Sequence, residues 1–434
     1  MYSDEATAHK EWARPDVPLL VSLDTLLVHS PLRQELASRH AARHPLRHFG
    51  AALALLRGHP APNIPTIAPA TLSFRTDVVA QLQQERQLGR SMMLLYSGEA
   101  RHAEAVSSHL GLFDGVLPAD MAPPGAVHQV PPAPAPPFGS LRALMYAARP
   151  HQWAKNMLIF LPLLAAHRYT EWPAIAATLL AFVVFSLAAS AVYLLNDLID
   201  VGADRQHHRK RNRPIASGRL GLGQAWIAWL LLLAAAFGLS ALALPWTFQL
   251  VLAAYVFQTL VYSLRLKQTP MVDVLLLACL YTLRIIAGAA ALGVPLSFWM
   301  LSFSMFFFLS LAFIKRFNEL HTARASHNSA RLRGRGYAPG DIELVSMMGI
   351  VSGYLSVLVL ALYIQDARTA QMYRHPEVIW LVCPLLLFWI SRTWLIANRG
   401  WMHDDPIVFA LKDRVSLVLC FFLAAIFGAA RLLP

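Results

Sequence analysis

Three oxygen-bearing side chains, Asn196, Asp200 and Asp204, recur at every fourth residue in "NDLIDVGADRQHHRKRNRPIASG". On a helix that spacing stacks them along one face with about 40° of drift per step, while Asp197 points roughly a quarter-turn away. An oxygen-only set suits Mg²⁺, which keeps several waters and is held by one or two carboxylates plus substrate phosphates. Directly behind stand Arg205, Arg209, Lys210, Arg211 and Arg213, cations able to neutralise the remaining phosphate charge. A plain helix end followed by positive residues would account for the arginines but not for the acids. A metal-bridged polyphosphate accounts for both.

A second cluster lies in "VYSLRLKQTPMVDVLLLACLYTLRIIAG", with Tyr262, Arg265, Lys267 and Asp273 between two apolar runs and Arg284 inside the next. A guanidinium within a spanning helix is expensive and by default marks a site, although an arginine paired with an acid for packing is the competing reading. A third, "ARPHQWAKNMLIF", brings Arg149, Gln152, Lys155 and Asn156 to a water boundary, where tryptophan and lysine also decorate ordinary interfaces. Late in the chain, "HDDPIVFALKDRVS" adds Asp404, Asp405, Lys412, Asp413 and Arg414. A solvated loop fits that last pattern equally well.

The elements that position these residues are mostly apolar. Of 434 residues 56% are hydrophobic and 14% charged, against about 25% charged in a soluble globular protein, so most of the chain belongs in a bilayer. Runs of spanning length fall near 153–168, 173–195, 223–243, 246–263, 272–293, 297–314, 342–365, 377–397 and 415–432, about nine in all. The net charge of +12 sits in alternate loops, "RQHHRKRNRPIASGR", "RLKQTP", "KRFNELHTARASHNSARLRGRG" and "RTWLIANRGWMHDDP". That alternation is the positive-inside pattern of an inner-membrane protein with these loops in the cytoplasm. It explains the basic balance without nucleic acid, for which no recognition module is present. Cys279, Cys383 and Cys420 lie in apolar segments without CxxC or His-spaced partners, which supports neither a disulfide framework nor a zinc site.

Ahead of the apolar part, residues 17–120 alternate strand and helix patterns: "VPLLVSLDTLLV", "DVVAQLQQERQLG", "RSMMLLYSG" and "EARHAEAVSSHLGLFDGVLPAD". Residues 121–141 hold "MAPPGAVHQVPPAPAPPF", whose proline density makes a semi-rigid linker. Residues 142–434 form the membrane part. The expected fold class is mainly α, a multi-pass membrane protein with a small N-terminal soluble α/β domain on the cytoplasmic side.

The "NDxxDxxxDR" element resembles the first aspartate motif of the UbiA-type intramembrane prenyltransferases. "ARPHQWAKNMLIFLPLL", "DRQHHRKRNRPIASG", "YSLRLKQTPMVDVLLLACLYTLRIIAGA" and "DDPIVFALKDRVS" resemble its decaprenyl-phosphate phosphoribosyltransferase-like members. Aromatic prenyltransferases carry a second DxxxD; here "LKQTPMVD" stands instead, with Lys267 and Asp273. The resemblance implies a helical bundle around a central cavity, Mg²⁺ as cofactor, phosphoribosyl diphosphate as donor and a polyprenyl phosphate as acceptor. Transfer of a prenyl group from a prenyl diphosphate to an aromatic acceptor is the alternative. It implies catalytic roles for Asp197, Asp200, Asp204, Lys267 and Asp273, and a metal on Asn196, Asp200 and Asp204. Substrate binding would fall to Arg149, Gln152, Lys155, Asn156, Arg205, Lys210, Arg211, Arg213, Tyr262, Arg265, Arg284, Lys412 and Arg414. The acceptor's chain length and the oligomeric state stay open.

"PLLVSLDTLLVHS", "RSMMLLYSGEA" and "HLGLFDGVLPAD" resemble the start of a haloacid-dehalogenase-like fold. Ser22 stands where that family has its nucleophilic aspartate and Leu26 where it has a threonine; Asp24 and Ser97 match. The later lysine and metal-binding acids have no counterpart before the linker. The resemblance implies a degenerate domain without phosphatase activity, dispensable for transfer.

Overall fold

A computed structural model describes residues 18–43, 66–122, 139–325, 336–365, 373–402 and 405–432. Most of the expected linker (123–138), the loop end 326–335 and Asp404 lie outside the described residues. Two compact units divide the chain, one drawing on 1–150 with 190–232 and the other on 151–189 with 233–434.

In the first unit, β1 (Leu19–Ser22), β2 (Met92–Tyr96) and β3 (Gly115–Pro118) form a parallel sheet in the order β1-β2-β3. Leu19 stands opposite Met92, and Leu94 opposite Val116. Continuous apolar runs such as "LLVS" and "MMLLY" are what a parallel sheet covered on its faces requires. The covering helices are α1 (Leu32–Arg43), α2 (Thr76–Gln87) and α3 (Ala100–Leu110). They contribute Val78, Leu82, Ala103 and Val106 to a core with Leu19, Val21, Met92 and Leu94. A second core joins α4 (Gly139–Ala148) to the last turns of α6 (Trp172–Ile199), to α7 (Val201–Gln206) and to the first turns of α8 (Leu222–Ala243). Ala143, Ala147, Leu194, Leu198, Val201, Ile215 and Leu220 fill it.

The second unit is built on α9 (Trp246–Leu264), α10 (Val272–Leu292), α11 (Phe298–Ala325), α12 (Ile342–Ile364), α13 (Val382–Asn398), the short α14 (Pro406–Lys412) and α15 (Arg414–Leu432). Its core runs through Tyr281, Phe308, Phe313, Phe317, Trp389 and Trp394. Gly349 and Gly353 on α12 leave room where Trp394, Ile390 and Ser310 press in, the small-residue spacing by which membrane helices approach closely. Trp394 Nε1 donates to Ser310 Oγ at 3.1 Å across that contact. Large apolar side chains such as Phe257, Leu358 and Phe421 remain exposed on the outer faces, as helices meeting acyl chains require.

Among the described residues eight helices are long and apolar enough to cross a membrane. The first expected span, 153–168, is not one of them. Pro150–Phe160 winds as a 3₁₀ helix of 11 residues and only α5 (Leu161–Ala165) is α-helical. Pro162 cannot donate and breaks the α ladder. The carbonyl of Ile159 lies where a Cβ on Gly288 of α10 would stand, so the segment is drawn onto α10 through a residue with no side chain.

Candidate functional site

The first unit gathers acids and arginines at the end of α6. Asp200 interrupts the helix at φ −86°, ψ 3°. The ladder still continues, with Asp200 N–H donating to Asn196 O at 2.9 Å and Asp204 N–H to Asp200 O at 2.8 Å. Asp197 and Asp204 are seven residues apart, two helical turns within about 20° of one face. Arg213 bridges them, its Nη1 3.1 Å from Asp197 Oδ1 and 2.6 Å from Asp204 Oδ2. Arg149, held at φ 53°, donates to Asp197 Oδ1 at 2.5 Å, and its guanidinium lies 5.1 Å from the Tyr193 ring centroid. Thus Asp197, read from the spacing as a quarter-turn off the ligand face, is the acid joined with Asp204. Asp200 is half-buried beside them.

Burial pushes the Asp204 carboxyl above its ordinary value, against the pull of Arg213 and Lys210. Two oxygens of the cluster, Asn196 Oδ1 and Asp197 Oδ2, are buried without a hydrogen-bond partner. Orphaned acceptors of this kind call for a cation or donor from outside the chain. Among the described residues no group of three His, Cys, Asp or Glu side chains could hold a metal alone. The donor set nevertheless fits Mg²⁺, which needs few protein ligands when phosphates complete its shell.

The expected phosphate-binding cations separate into two groups. Lys210 and Arg211 are exposed, with His207 Nδ1 accepting from the backbone N–H groups of Arg209 and Lys210 at 3.2 and 3.4 Å. Arg205 is committed elsewhere. Four of its five N–H donors go to Glu35, Thr71 O and Ala216 O, and its charge is matched by Glu35, which leaves little of it for a substrate phosphate.

The second unit holds a different constellation. Lys155, 8% exposed, sets its Nζ 2.8 Å from Asp405 Oδ2, and Lys315 reaches the same oxygen at 3.7 Å. Asp405 also caps α14, accepting from Ile407 N–H at 3.2 Å. Burial works against its charge, yet Lys155 and Lys315 outweigh that and hold the carboxyl below its ordinary value. Asn156 donates to Ser186 Oγ at 2.9 Å and accepts from Arg284 Nε at 2.9 Å. The Arg284 guanidinium donates to Leu280 O and sits 5.2, 5.5 and 5.6 Å from the ring centroids of Tyr255, Tyr281 and Phe185. Lys155 lies 5.9 Å from the same Tyr281 ring. Lys155 and Lys315 thus share one acid, while among the described residues no carboxylate pairs with Arg284.

Asp273, expected to act in catalysis, is instead sealed in. It is fully buried beside the equally buried Arg316, whose Nε lies 2.8 Å from Asp273 Oδ2. The pair is a charge contact without hydrogen-bond alignment, since both atoms lack a bonded partner. Tyr337 donates its hydroxyl to Asp273 Oδ1 at 2.7 Å and accepts from Met271 N–H at 2.9 Å. Burial first, and then Asp273, push that phenol well above its ordinary value. Met271 sits at φ 66°, a conformation side chains disfavour, and Tyr337 anchors it. Lys267 and Tyr262 are half-buried, Arg265 is exposed, and Gln152 is half-buried on the 3₁₀ segment. Lys412 and Arg414 are exposed and flank Asp413, which pairs with Arg392 at 2.7 Å.

Sequence reasoning missed Glu35, Lys315, Arg316 and Tyr337, and left Asp405 undecided. Lys315 and Arg316 opened a basic loop in the sequence, where the positive-inside pattern already accounted for them; the helix in fact continues through them to Ala325.

The profile of the UbiA prenyltransferase family matches residues 157–411. An uncharacterized protein, y4nM of Sinorhizobium fredii, is 32% identical over 95% of this chain and 91% of its own length. The nodulation protein NoeC of Azorhizobium caulinodans is 38% identical over 64% of this chain and 90% of its own. The decaprenyl-phosphate phosphoribosyltransferase of Mycobacterium tuberculosis is 33% identical over 68% of this chain and 96% of its own. With eight helices of spanning length among the described residues and a family match over more than half of its length, the chain belongs to the UbiA prenyltransferase family and is an integral membrane transferase.

Proposed function

We propose that the protein transfers a 5-phosphoribosyl group from phosphoribosyl diphosphate to a polyprenyl phosphate, releasing diphosphate. The observation that carries this reading is the concentration of positive charge beside Tyr281, where the buried Lys155 and half-buried Lys315 share Asp405 and the buried Arg284, among the described residues, meets no carboxylate. Two lysines on one carboxylate and an arginine on neutral partners leave net positive charge in a buried place, which is costly until an anion meets it. The acids at 197–204 suit a metal-bound diphosphate. A reaction needing a diphosphate and a further phosphate therefore fits better than one with an uncharged aromatic acceptor. The similarity to a relative named as a decaprenyl-phosphate phosphoribosyltransferase supports the same choice.

In this reading Asn196, Asp197, Asp200 and Asp204 would hold Mg²⁺, which would supply positive charge to the departing diphosphate. Arg213 fixes the two buried carboxylates, and the exposed Lys210 and Arg211 bind diphosphate oxygens. Asp273 acts through Tyr337 and Met271 to hold the turn that carries Lys267, a positioning role. The ribosyl carbon passes through an oxocarbenium-like state, as in glycoside chemistry. The acceptor phosphate is ionised at neutral pH and needs no general base. The Lys and Arg bias of the loops supports a cytoplasmic opening, the side on which a soluble, highly charged donor is found.

Purified protein given labelled phosphoribosyl diphosphate and polyprenyl phosphate should yield an organic-extractable, acid-labile labelled lipid that depends on Mg²⁺. Label transfer only from a prenyl diphosphate to an aromatic acid would replace this reading with the other family chemistry.

A further inference from the structure

The N-terminal α/β region grips the segment that follows the aspartate motif. Arg205, the residue after Asp204, forms a forked pair with Glu35 of α1 at 2.8 and 2.9 Å, with the two side chains 5% and 1% exposed. Arg205 Nη1 also donates to Thr71 O at 2.9 Å and Nε to Ala216 O at 3.0 Å. Arg39 closes the other side of Glu35 at 3.5 Å and donates to the Thr71 hydroxyl at 2.7 Å. Three further contacts repeat the grip along the chain. The His29 ring lies where a Cβ on Gly218 would stand, at a position already at φ 79°. Gln34 lies against Gly223, and Trp226 Nε1 donates to Ser38 Oγ at 3.2 Å.

We propose that Glu35 is a positioning residue for the diphosphate site. This rests on the reading that Asp197, Asp204 and Arg213 belong to that site. A carboxylate buried this deeply needs cations beside it, and Arg205 makes the shorter, forked contact, so the pair fixes α7 and with it the 205–219 segment. That segment returns Arg213 to Asp197 and Asp204. Arg205 is therefore structural glue between the N-terminal region and the acids, and this half of the protein helps shape the transferase site even without chemistry of its own.

Loosening the pair should leave the binding-competent arrangement reachable but less populated. Apparent affinity then falls by the lost fraction, while saturating ligand restores the arrangement. Magnesium pyrophosphate serves as probe, because it carries the diphosphate common to both candidate donors. The full-length protein in detergent is treated with trypsin, and cleavage after the exposed Arg211 is followed by the new N-terminus at Asn212. In wild type the probe should slow that cleavage, and Arg213→Gln should abolish the protection. Glu35→Gln should need about tenfold more pyrophosphate for half-protection yet reach full protection at saturation, as a population shift dictates. Glu35→Asp, which keeps the charge, should fall within about threefold of wild type on the same scale.

The outcomes separate cleanly. Wild-type protection that survives Arg213→Gln, or no protection at all, overturns the diphosphate reading and this role with it. Protection lost in Arg213→Gln but unchanged in Glu35→Gln overturns the positioning role alone. Glu35→Gln that stays open at saturating probe, or fails to fold while Glu35→Asp behaves no better, makes Glu35 a stability residue and also overturns it.

Discussion

Arg213 concentrates the most chemistry into one side chain, since a single guanidinium nitrogen meets two buried carboxylates. Because one nitrogen makes both contacts, the charge matters more than the planar fork, and Arg213→Lys should retain more transfer than Arg213→Ala. Transfer by Arg213→Ala should drop about 100-fold, the cost of losing one preorganised electrostatic group, measured as labelled lipid formed at saturating donor. Asp405 allows a charge test with its cap retained, because asparagine also caps helices well. Its carboxyl is held below the ordinary 3.8 by Lys155 and Lys315. A lowered acid pKa contributes stability above the unfolded value, and that contribution is lost as pH falls through the folded value. Wild type should therefore melt above Asp405→Asn at neutral pH, and the gap should close below about pH 3.8. At this scale the sequence was only partly legible. The spacing of Asn196, Asp200 and Asp204 marked the acids, but which oxygen meets which cation depends on Arg149, 48 residues before Asp197, and on how the following loop turns Arg213 back.

Among the elements, the apolar runs were legible because bilayer thickness dictates their length. The strands of the N-terminal sheet were legible because burial on both faces leaves unbroken apolar stretches. The 3₁₀ segment was not legible. Its composition is that of a spanning helix, and its winding follows from contact with α10 at Gly288. Gly288→Ala would push a methyl group into the Ile159 carbonyl and should cost about 1–3 kcal/mol, as overpacking does; the melting temperature of the purified protein would report it. The turn before α10 was also hidden, since Tyr337 lies 64 residues from Asp273. Tyr337→Phe removes a donor from a buried carboxylate and an acceptor from Met271 N–H, at a cost of about 1–3 kcal/mol. Stability should fall by that amount, together with apparent affinity for the donor through Lys267. A loss of affinity with unchanged stability would break the link through Met271.

For the whole molecule, the family was legible from four motifs in order, whereas the bearing of the N-terminal region on the membrane part was not. That region looked separable, because a proline-rich stretch follows it and its phosphatase-like positions are degenerate. The contacts of Glu35, Ser38 and His29 bind it to residues 205–226 instead. Membrane sidedness can be read by cysteine accessibility once the native, exposed Cys420 is replaced. Gly218 and Gly293 are poor label sites because both sit at positive φ, so the exposed His208 and Thr170 serve better. His208→Cys should react with an impermeant maleimide only after inner membranes are opened, and Thr170→Cys should react in intact spheroplasts. The reverse pattern would remove a cytoplasmic donor from consideration.

The 3₁₀ segment decides how many times the chain crosses. Glu35 meets Arg205, and Arg149 meets Asp197 at the end of α6, so residue 149 and the end of α6 share one side of the membrane. Parity then requires an even number of crossings between them. Helix α6 supplies one of these, and the only chain left to supply another is the stretch from Pro150 to Ala165. At about 2.0 Å per residue in the 3₁₀ part and 1.5 Å in α5, that stretch rises about 30 Å, the thickness of the hydrocarbon core. On this parity a ninth crossing is expected beside the eight helices of spanning length among the described residues. A tighter winding reaches across in fewer residues, and it would set Lys155 and Asn156 about 10–12 Å along the crossing, where an ordinary span would place only hydrocarbon.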